Sequence, residues 1–190
     1  MNDLLSNFTS EEVHIKEYKE DFLSADNLKE AEYFLHSIPL EDYTKENGRL
    51  VISFGTAYPY NGSKSQPKSE TILPALAKMI HQFQSSLNLE HPPNSVLINF
   101  YPPVLEDGAP DSSRLPYHSD DEMIIHPESD IITLSLGAEW SISFKSKTDS
   151  SNATSLTPKH NSIYTMSRRS QALFKHVDNN GGSAKMCVIV

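Results

Sequence analysis

The chain has 190 residues, of which 37% are hydrophobic and 22% are charged, a composition typical of a soluble globular protein. Its formal net charge of −9 argues against broad, nonspecific binding of phosphate, because such binding needs a basic surface. The single cysteine, Cys187, excludes a disulfide scaffold and a cysteine-based zinc site, and no apolar run approaches the roughly 20 residues that a membrane helix needs.

The N-terminal stretch, MNDLLSNFTSEEVHIKEYKE (1–20), is polar and acidic, which is not the pattern of a signal or transit peptide. We therefore expect an intracellular protein, in the cytoplasm or the nucleus, that binds no membrane. The length favours one domain spanning residues 1–190, with residues 1–14 as a flexible extension. We expect this domain to be a monomer.

Two segments in the first half of the chain predict amphipathic helices. The first is EYKEDFLSADNLKEAEYFLHSI (17–38), where Ser24 or Asp26 could cap the start. The second is TILPALAKMIHQFQSSL (71–87), where Pro74 suits a first helical turn. The apolar residues that recur at helical spacing are Leu28, Ala31, Leu35 and Ile38 in the first segment and Ile72, Leu76, Met79, Ile80 and Phe83 in the second.

After residue 94 the pattern changes to short alternating apolar runs. These runs are SVLINFY (95–101), DIITLSLG (130–137), EWSISFK (139–145), NSIYTM (161–166) and KMCVIV (185–190). Several short strands separated by Pro, Gly and Ser predict a sandwich or barrel. Because the helices come first, we expect helices packed on an all-β core, with a long polar loop or hairpin tip at 145–161.

The run YHSDDE (117–122) carries a candidate metal site. In an extended chain residues i and i+2 project to the same side, so His118 and Asp120 could bind one ion. His176 is the best candidate for a third ligand. Two histidines and one carboxylate form the facial triad of nonheme Fe(II) enzymes, which leaves coordination positions open. On spacing alone a solvated polar turn explains the same residues.

The order of the motifs resembles the AlkB-like family of Fe(II)/2-oxoglutarate dioxygenases. That family has an Asn-x-Tyr strand, a His-x-Asp-x-Glu motif, a Ser-Leu-Gly strand and a distal His, in this order. Here the matching stretches are NSVLINFY, YHSDDE, DIITLSLG and YTMSRRSQALFKH, and SFGTAYPYNG resembles the family's aromatic segment. The resemblance covers roughly residues 15–180, which is most of the chain.

The resemblance implies a fold and an activity. The implied fold class is α+β or mainly β, with a double-stranded β-helix (jelly-roll) core and N-terminal helices packed on one side. The implied reaction removes alkyl groups from nucleic-acid bases by oxidation, as in the repair or demethylation of DNA or RNA, with Fe(II), 2-oxoglutarate and O₂. The whole chain, 1–190, would then be one AlkB-like dioxygenase domain.

The resemblance also assigns residues by their matching positions. The implied iron ligands are His118, Asp120 and His176, the implied 2-oxoglutarate contacts are Asn99 and Tyr101, and the implied substrate contacts are Glu122, Tyr58 and Tyr60. The last five also have structural explanations. Asn99 could satisfy backbone groups, Tyr101 could belong to the core, the other two tyrosines could pack an extended loop, and Glu122 could be a solvated acid.

The chain departs from the family pattern after His176. The family binds the far carboxylate of 2-oxoglutarate through an arginine downstream of the distal histidine, since a guanidinium pairs with a carboxylate in two-pronged fashion. Residues 177–190 contain no arginine, and Lys185 is their one cation. Three explanations stay open: a truncated or divergent C-terminal strand region, a substitute among Lys185, Arg169 and Arg114, or a fold that keeps the metal without the reaction.

Three functions follow from these observations. The first is a dioxygenase that dealkylates nucleic-acid bases, for which the acidic net charge favours single-stranded DNA or RNA as the partner. The second is a catalytically impaired AlkB-like binding module without the 2-oxoglutarate arginine. The third is a dioxygenase that acts on a substrate other than nucleic acid.

Overall fold

The structure, a computed structural model, describes residues 15–46, 49–57, 67–69, 73–89, 92–101, 116–121, 125, 129–149, 151, 153–178 and 185–189. The helices and strands in chain order are β1 (Glu17–Lys19), α1 (Ala25–Ser37), a 3-10 turn (Leu40–Asp42), β2 (Thr44–Glu46), β3 (Arg49–Gly55), α2 (Pro74–Leu87), β4 (Ser95–Tyr101), β5 (Ile131–Gly137), β6 (Ile142–Ser146), β7 (Ala153–Leu156), β8 (Ser162–Met166), α3 (Arg168–Leu173), β9 (Phe174–Asp178) and β10 (Lys185–Ile189). The predicted N-terminal extension, residues 1–14, lies outside the described residues.

The strands form two antiparallel sheets. The larger sheet has seven strands in the order β1-β8-β5-β10-β4-β3-β2, and the smaller has three in the order β7-β6-β9. β10 lies inside the larger sheet and pairs with β4 on one side and with β5 on the other, over five residues each. Within the described chain no helix has both the length and the apolar character needed to cross a membrane.

Both predicted helices are present and cover one face of the larger sheet. The hydroxyl of Ser24 caps α1 by accepting a hydrogen bond from the backbone N–H of Asn27, and Pro74 begins α2. Their buried residues are Ala31 and Leu35 in α1 and Leu76, Met79, Ile80 and Phe83 in α2; they pack in one core with Ile52, Phe54, Val96, Ile98, Ile132, Leu134, Leu136 and Ile163 of the sheet. Burial of this apolar surface holds the helices on the sheet.

The opposite face of the larger sheet packs against the smaller sheet. Ile131, Tyr164 and Met166 of the larger sheet form a cluster with Ile142 and Phe144 of the smaller one. Beside it the ring of Trp140 meets Tyr101 edge to face, with 4.8 Å between ring centroids. The same face carries buried polar side chains, namely those of Asn99, Thr133 and Ser135. The space between the sheets is therefore partly polar.

The predicted architecture of helices on one side of a β-sandwich core is confirmed, with differences in detail. β1, β2, β3 and α3 were not predicted, although the RLVISFG sequence of β3 is largely apolar. The polar segment 145–161 contains β7, which pairs with β6 as one arm of a hairpin. His176 lies within β9 rather than in a segment after a strand. β9 escaped prediction because its sequence, FKHVD, is only five residues long and has no apolar alternation.

Asn161 fastens the segment before α1 to the start of β8. Its backbone is left-handed, with φ of 57°, a conformation that asparagine tolerates better than most residues. Its side-chain oxygen accepts the N–H of Leu23 and its amide nitrogen donates to the carbonyl of Leu23, both at 2.9 Å. Its own carbonyl accepts the N–H of Phe22 at 2.9 Å. One side chain thus satisfies two buried backbone groups.

We expect Asn161→Ala to lower the free energy of unfolding by about 2–4 kcal/mol, because it leaves two buried backbone groups unsatisfied and puts alanine in a left-handed conformation. Urea denaturation followed by circular dichroism measures this. Asn88→Ala is the matched control, since exposed Asn88 is also left-handed, with φ of 54°. Equal losses in the two variants would show that the bonds to Leu23 contribute nothing.

Candidate metal centre

A backbone bridge brings the two predicted histidine ligands together. His118 and His176 form an isolated antiparallel bridge in which each N–H donates to the other's carbonyl, at 3.0 and 2.7 Å. Directly paired residues in an antiparallel bridge project their side chains to the same side. Accordingly the two imidazole rings lie 4.3 Å apart between centroids.

Asp120, two residues after His118, completes the group. The candidate ligand atoms of His118, Asp120 and His176 all lie within 4.8 Å of one another, and Nε2 of His176 is 3.5 Å from Oδ2 of Asp120. The structure therefore brings the three predicted iron ligands to one point. Their role as ligands stays a prediction.

The hydrogen bond made by His118 sets its tautomer. Its Nδ1 lies 3.0 Å from the carbonyl oxygen of Pro116, which can only accept, so Nδ1 carries the hydrogen. In this tautomer Nε2 carries the lone pair that a metal ion would bind. Metal-ligating histidines commonly make this kind of bond through their second nitrogen.

The short helix α3 braces the segment that carries Asp120. The side-chain oxygen of Gln171, a residue only 1% exposed, accepts the N–H of Asp120 at 2.9 Å. The guanidinium of Arg168 donates to the carbonyls of Asp120 and Asp121, at 3.4 and 3.1 Å. Lys147 donates to the carbonyl of Gln171 at 2.7 Å. Lys147 and Arg168 thus stabilise the segment that carries Asp120.

Burial sets the protonation of the candidate ligands. It raises the pKa of Asp120, an effect that Arg49 and the protonated form of His118 oppose. Burial, reinforced by the protonated form of His118, lowers the pKa of His176 to about 3, so the His176 imidazole is neutral at pH 7. A neutral imidazole is the form that binds metal. A buried carboxylate between two imidazoles gains from a nearby cation, so this donor set fits Fe(II).

The three residues line a pocket between the sheets. Its walls are formed by Arg49, Leu97, Asn99, His118, Asp120, Thr133, Tyr164, Met166, His176 and Asp178. The predicted 2-oxoglutarate contact Asn99 is thus in the same cavity as the triad.

Two polar atoms of the cavity wall are available to a ligand. Asn99 and Thr133 are each 1% exposed, and Oδ1 of Asn99 and Oγ1 of Thr133 have no hydrogen-bond partner among the described residues. Leaving such groups unsatisfied costs about 1–3 kcal/mol each. A bound molecule with polar atoms would remove that cost.

Tyr101, the other predicted 2-oxoglutarate contact, has a different partner in this structure. Its hydroxyl donates to Oδ2 of Asp178 at 2.7 Å. Tyr58, Tyr60 and Glu122, the predicted substrate contacts, lie outside the described residues. Four further residues belong to the site although no sequence pattern predicted them, namely Arg49, Thr133, Gln171 and Asp178. Of these four, only Asp178 has a sequence signal, because it lies two residues after His176 and would share its face of a strand.

Comparison with known proteins agrees with this geometry. A family model described as the 2OG-Fe(II) oxygenase superfamily matches residues 4–185. No curated protein matches the chain. The solved structure of OsALKBH1 is similar, with a TM-score of 0.62 at 16% identity, over 91% of this chain and 95% of that chain. At this identity the likeness concerns the fold, and it confirms the jelly-roll class implied by the AlkB-like motifs.

We expect Gln171→Leu to weaken Co(II) binding about 10- to 100-fold, the usual effect of removing a group that orients a metal ligand. The substitution keeps the volume but leaves the N–H of Asp120 without its acceptor. Titration followed by the Co(II) absorption spectrum measures the affinity. Arg169→Gln is the control, because Arg169 is an exposed residue of the same helix. Unchanged affinity in Gln171→Leu would contradict the bracing role.

Proposed function

The chain belongs to the 2OG-Fe(II) oxygenase superfamily, and from this premise we propose that it removes alkyl groups from nucleic-acid bases by oxidation. Fe(II), 2-oxoglutarate and O₂ are the cofactors of this superfamily. The observation that carries the proposal is that His118, Asp120 and His176 meet at one cavity that also contains Asn99. A metal centre needs such a neighbouring space to admit a co-substrate and a substrate.

Held by the three ligands, Fe(II) would supply the activation of O₂. One oxygen atom would enter succinate as 2-oxoglutarate loses CO₂, and the other would hydroxylate the alkyl group. The hydroxylated group then leaves as an aldehyde, which restores the base. The chain's own residues prepare the site for this reaction. The carbonyl of Pro116 fixes the tautomer of His118, and Leu97 and Met166 line the cavity with apolar surface.

The AlkB-like motifs support a nucleic-acid base as the substrate. We propose that Glu122 contacts the base and that Tyr58 and Tyr60 cover it, as their matching positions imply. Enzymes that act on a base take it out of the stack and hold it against aromatic or apolar side chains. Unstacking costs a few kcal/mol in a duplex and least in a single strand, so we propose single-stranded DNA or RNA as the partner.

A small aromatic and basic surface beside the triad also supports this partner. We call it the Tyr117 patch; it consists of Tyr117, Lys145 and Lys175. Nζ of Lys145 lies 5.9 Å from the ring centroid of Tyr117, which is 41% exposed. Lys145 and Lys175 are paired across β6 and β9, and Tyr117 and Lys175 directly precede the two histidine ligands. An aromatic ring with nearby cations suits a single strand despite the net charge of −9.

We expect His118→Ala to abolish Fe(II) binding and succinate formation, because it removes one of three ligands. The wild type, loaded with Fe(II) without oxygen and then exposed to O₂ with 2-oxoglutarate, should form succinate faster when a methylated single-stranded oligonucleotide is present. The release of formaldehyde in proportion to succinate measures demethylation. His81→Ala is the control, since His81 is exposed on α2.

The outcomes of this experiment separate the candidate functions. Iron binding by the wild type without any succinate would contradict the dioxygenase and favour the impaired binding module. Succinate that forms at the same rate with and without the oligonucleotide, and without formaldehyde, would favour a substrate other than nucleic acid.

We expect Lys145→Gln and Lys175→Gln each to weaken binding of a single-stranded oligonucleotide and to reduce the slope of log K against log salt concentration by about 1. Each substitution removes a cation that would neutralise one phosphate. Fluorescence anisotropy at several salt concentrations measures this slope. Lys29→Gln, at an exposed position of α1, should leave the slope unchanged. Equal slopes in all four proteins would exclude the Tyr117 patch as the binding surface.

A further inference from the structure

We propose that Arg49 binds the distal carboxylate of 2-oxoglutarate, the carboxylate remote from its keto group. This places the co-substrate cation on β3, upstream of the metal ligands. The proposal rests on the co-substrate of the proposed reaction and is independent of which alkylated substrate the protein takes.

Arg49 has the location that this role requires. It is the first residue of β3, only 3% exposed, and it lines the cavity that the triad faces. Its positive charge acts on the candidate ligands: it lowers the pKa of His176 and partly offsets the rise in the pKa of Asp120. A dicarboxylate entering this cavity would bring an anion close to this buried guanidinium.

The sheet register places Arg49 beside Tyr101. Val51 pairs with Asn99 across β3 and β4, and directly paired residues share a face. Because side chains alternate along a strand, Arg49, two residues before Val51, and Tyr101, two residues after Asn99, project to that same face. The tyrosine that the family resemblance assigns to 2-oxoglutarate therefore has an arginine as its neighbour on the sheet.

The hydroxyl of Tyr101 cannot neutralise a carboxylate here. Its one hydrogen is directed at Oδ2 of Asp178, which adds a negative charge to the cavity wall. A second carboxylate near Asp178 needs a cation and further donors. Arg49 provides a permanent charge with five N–H groups in a planar fork, and Thr133 provides a buried hydroxyl that has no partner in the described part of the chain.

The other arginines are placed differently. Arg168 donates to the backbone carbonyls of Asp120 and Asp121, and Arg169 is exposed on α3. Arg114 lies outside the described residues. Among the described residues, Arg49 is thus the arginine that lines the cavity. Lys185 is the rival cation, since its position on β10 pairs in register with Tyr101.

The test measures co-substrate binding directly, by calorimetry on the full chain loaded with Mn(II). We expect Arg49→Gln to raise the Kd for 2-oxoglutarate about 10- to 100-fold, because a charge-assisted pair is lost. The Kd of Arg49→Lys should lie between those of the wild type and Arg49→Gln, since lysine keeps the charge but not the planar fork of N–H groups. Arg169→Gln should bind as the wild type does. Mn(II) affinity and circular dichroism show that each variant is folded with its metal site intact.

A second ligand identifies the carboxylate involved. 2-Oxobutyrate has the keto acid of 2-oxoglutarate but no distal carboxylate, so the wild type should bind it more weakly. In Arg49→Gln we expect the Kd for 2-oxobutyrate to stay unchanged. The preference for 2-oxoglutarate over 2-oxobutyrate should therefore fall by the factor by which the Kd for 2-oxoglutarate rises. The absorption band that forms when a 2-oxo acid joins Fe(II) without oxygen should appear with both ligands, because the keto acid end is unaffected.

Two results would overturn the proposal. One is an Arg49→Gln variant that binds 2-oxoglutarate like the wild type or keeps the full preference over 2-oxobutyrate. The other is a loss confined to Lys185→Gln, which would assign the carboxylate to β10. A wild type that binds 2-oxoglutarate through Arg49 but releases no formaldehyde from a methylated oligonucleotide would leave this proposal standing and contradict the proposed substrate.

Discussion

The two reciprocal backbone hydrogen bonds between His118 and His176 are the contact on which the site depends. They join the segment after residue 115 to β9, although 58 positions separate the two residues in the chain. Once this bridge forms, both imidazoles project to the same side and Asp120 follows by its two-residue spacing. The two candidate histidine ligands are therefore positioned by backbone pairing, and the side chains of Gln171 and Arg168 brace the segment that carries Asp120.

The two faces of the larger sheet differ in role: one contributes to stability and the other lines the candidate site. The face under α1 and α2 is apolar and buries a continuous core. The face toward the smaller sheet contains buried polar groups, such as Asn99 and Thr133, that reduce stability unless a ligand satisfies them. The apolar core under the helices offsets this cost. The arrangement explains why the site lies between the sheets and not under the helices.

The parts of the structure that were predictable depend on local patterns. The helical spacing of Leu76, Met79 and Phe83, the alternation in β4 and β5, and the His118–Asp120 spacing are all visible in short stretches of sequence. Arg49 and Gln171 were not predictable. Arg49 reaches the cavity only through the register of β3 on β4, and Gln171 only through the packing of α3 against the metal-binding segment. Such contacts between distant parts of a chain leave no periodic signal in the sequence.

The position of β10 has a consequence for how the protein folds. Among the described strands it comes last in sequence, yet it separates two three-stranded halves of the larger sheet, β1-β8-β5 and β4-β3-β2. Until residues 185–189 insert, each half exposes an unpaired edge, which is a template for pairing with other chains. Closure joins residues far apart in sequence, so it should be slow. During synthesis the nascent chain would carry both open edges until β10 emerges from the ribosome, and chaperones that shield such edges would matter most in that interval.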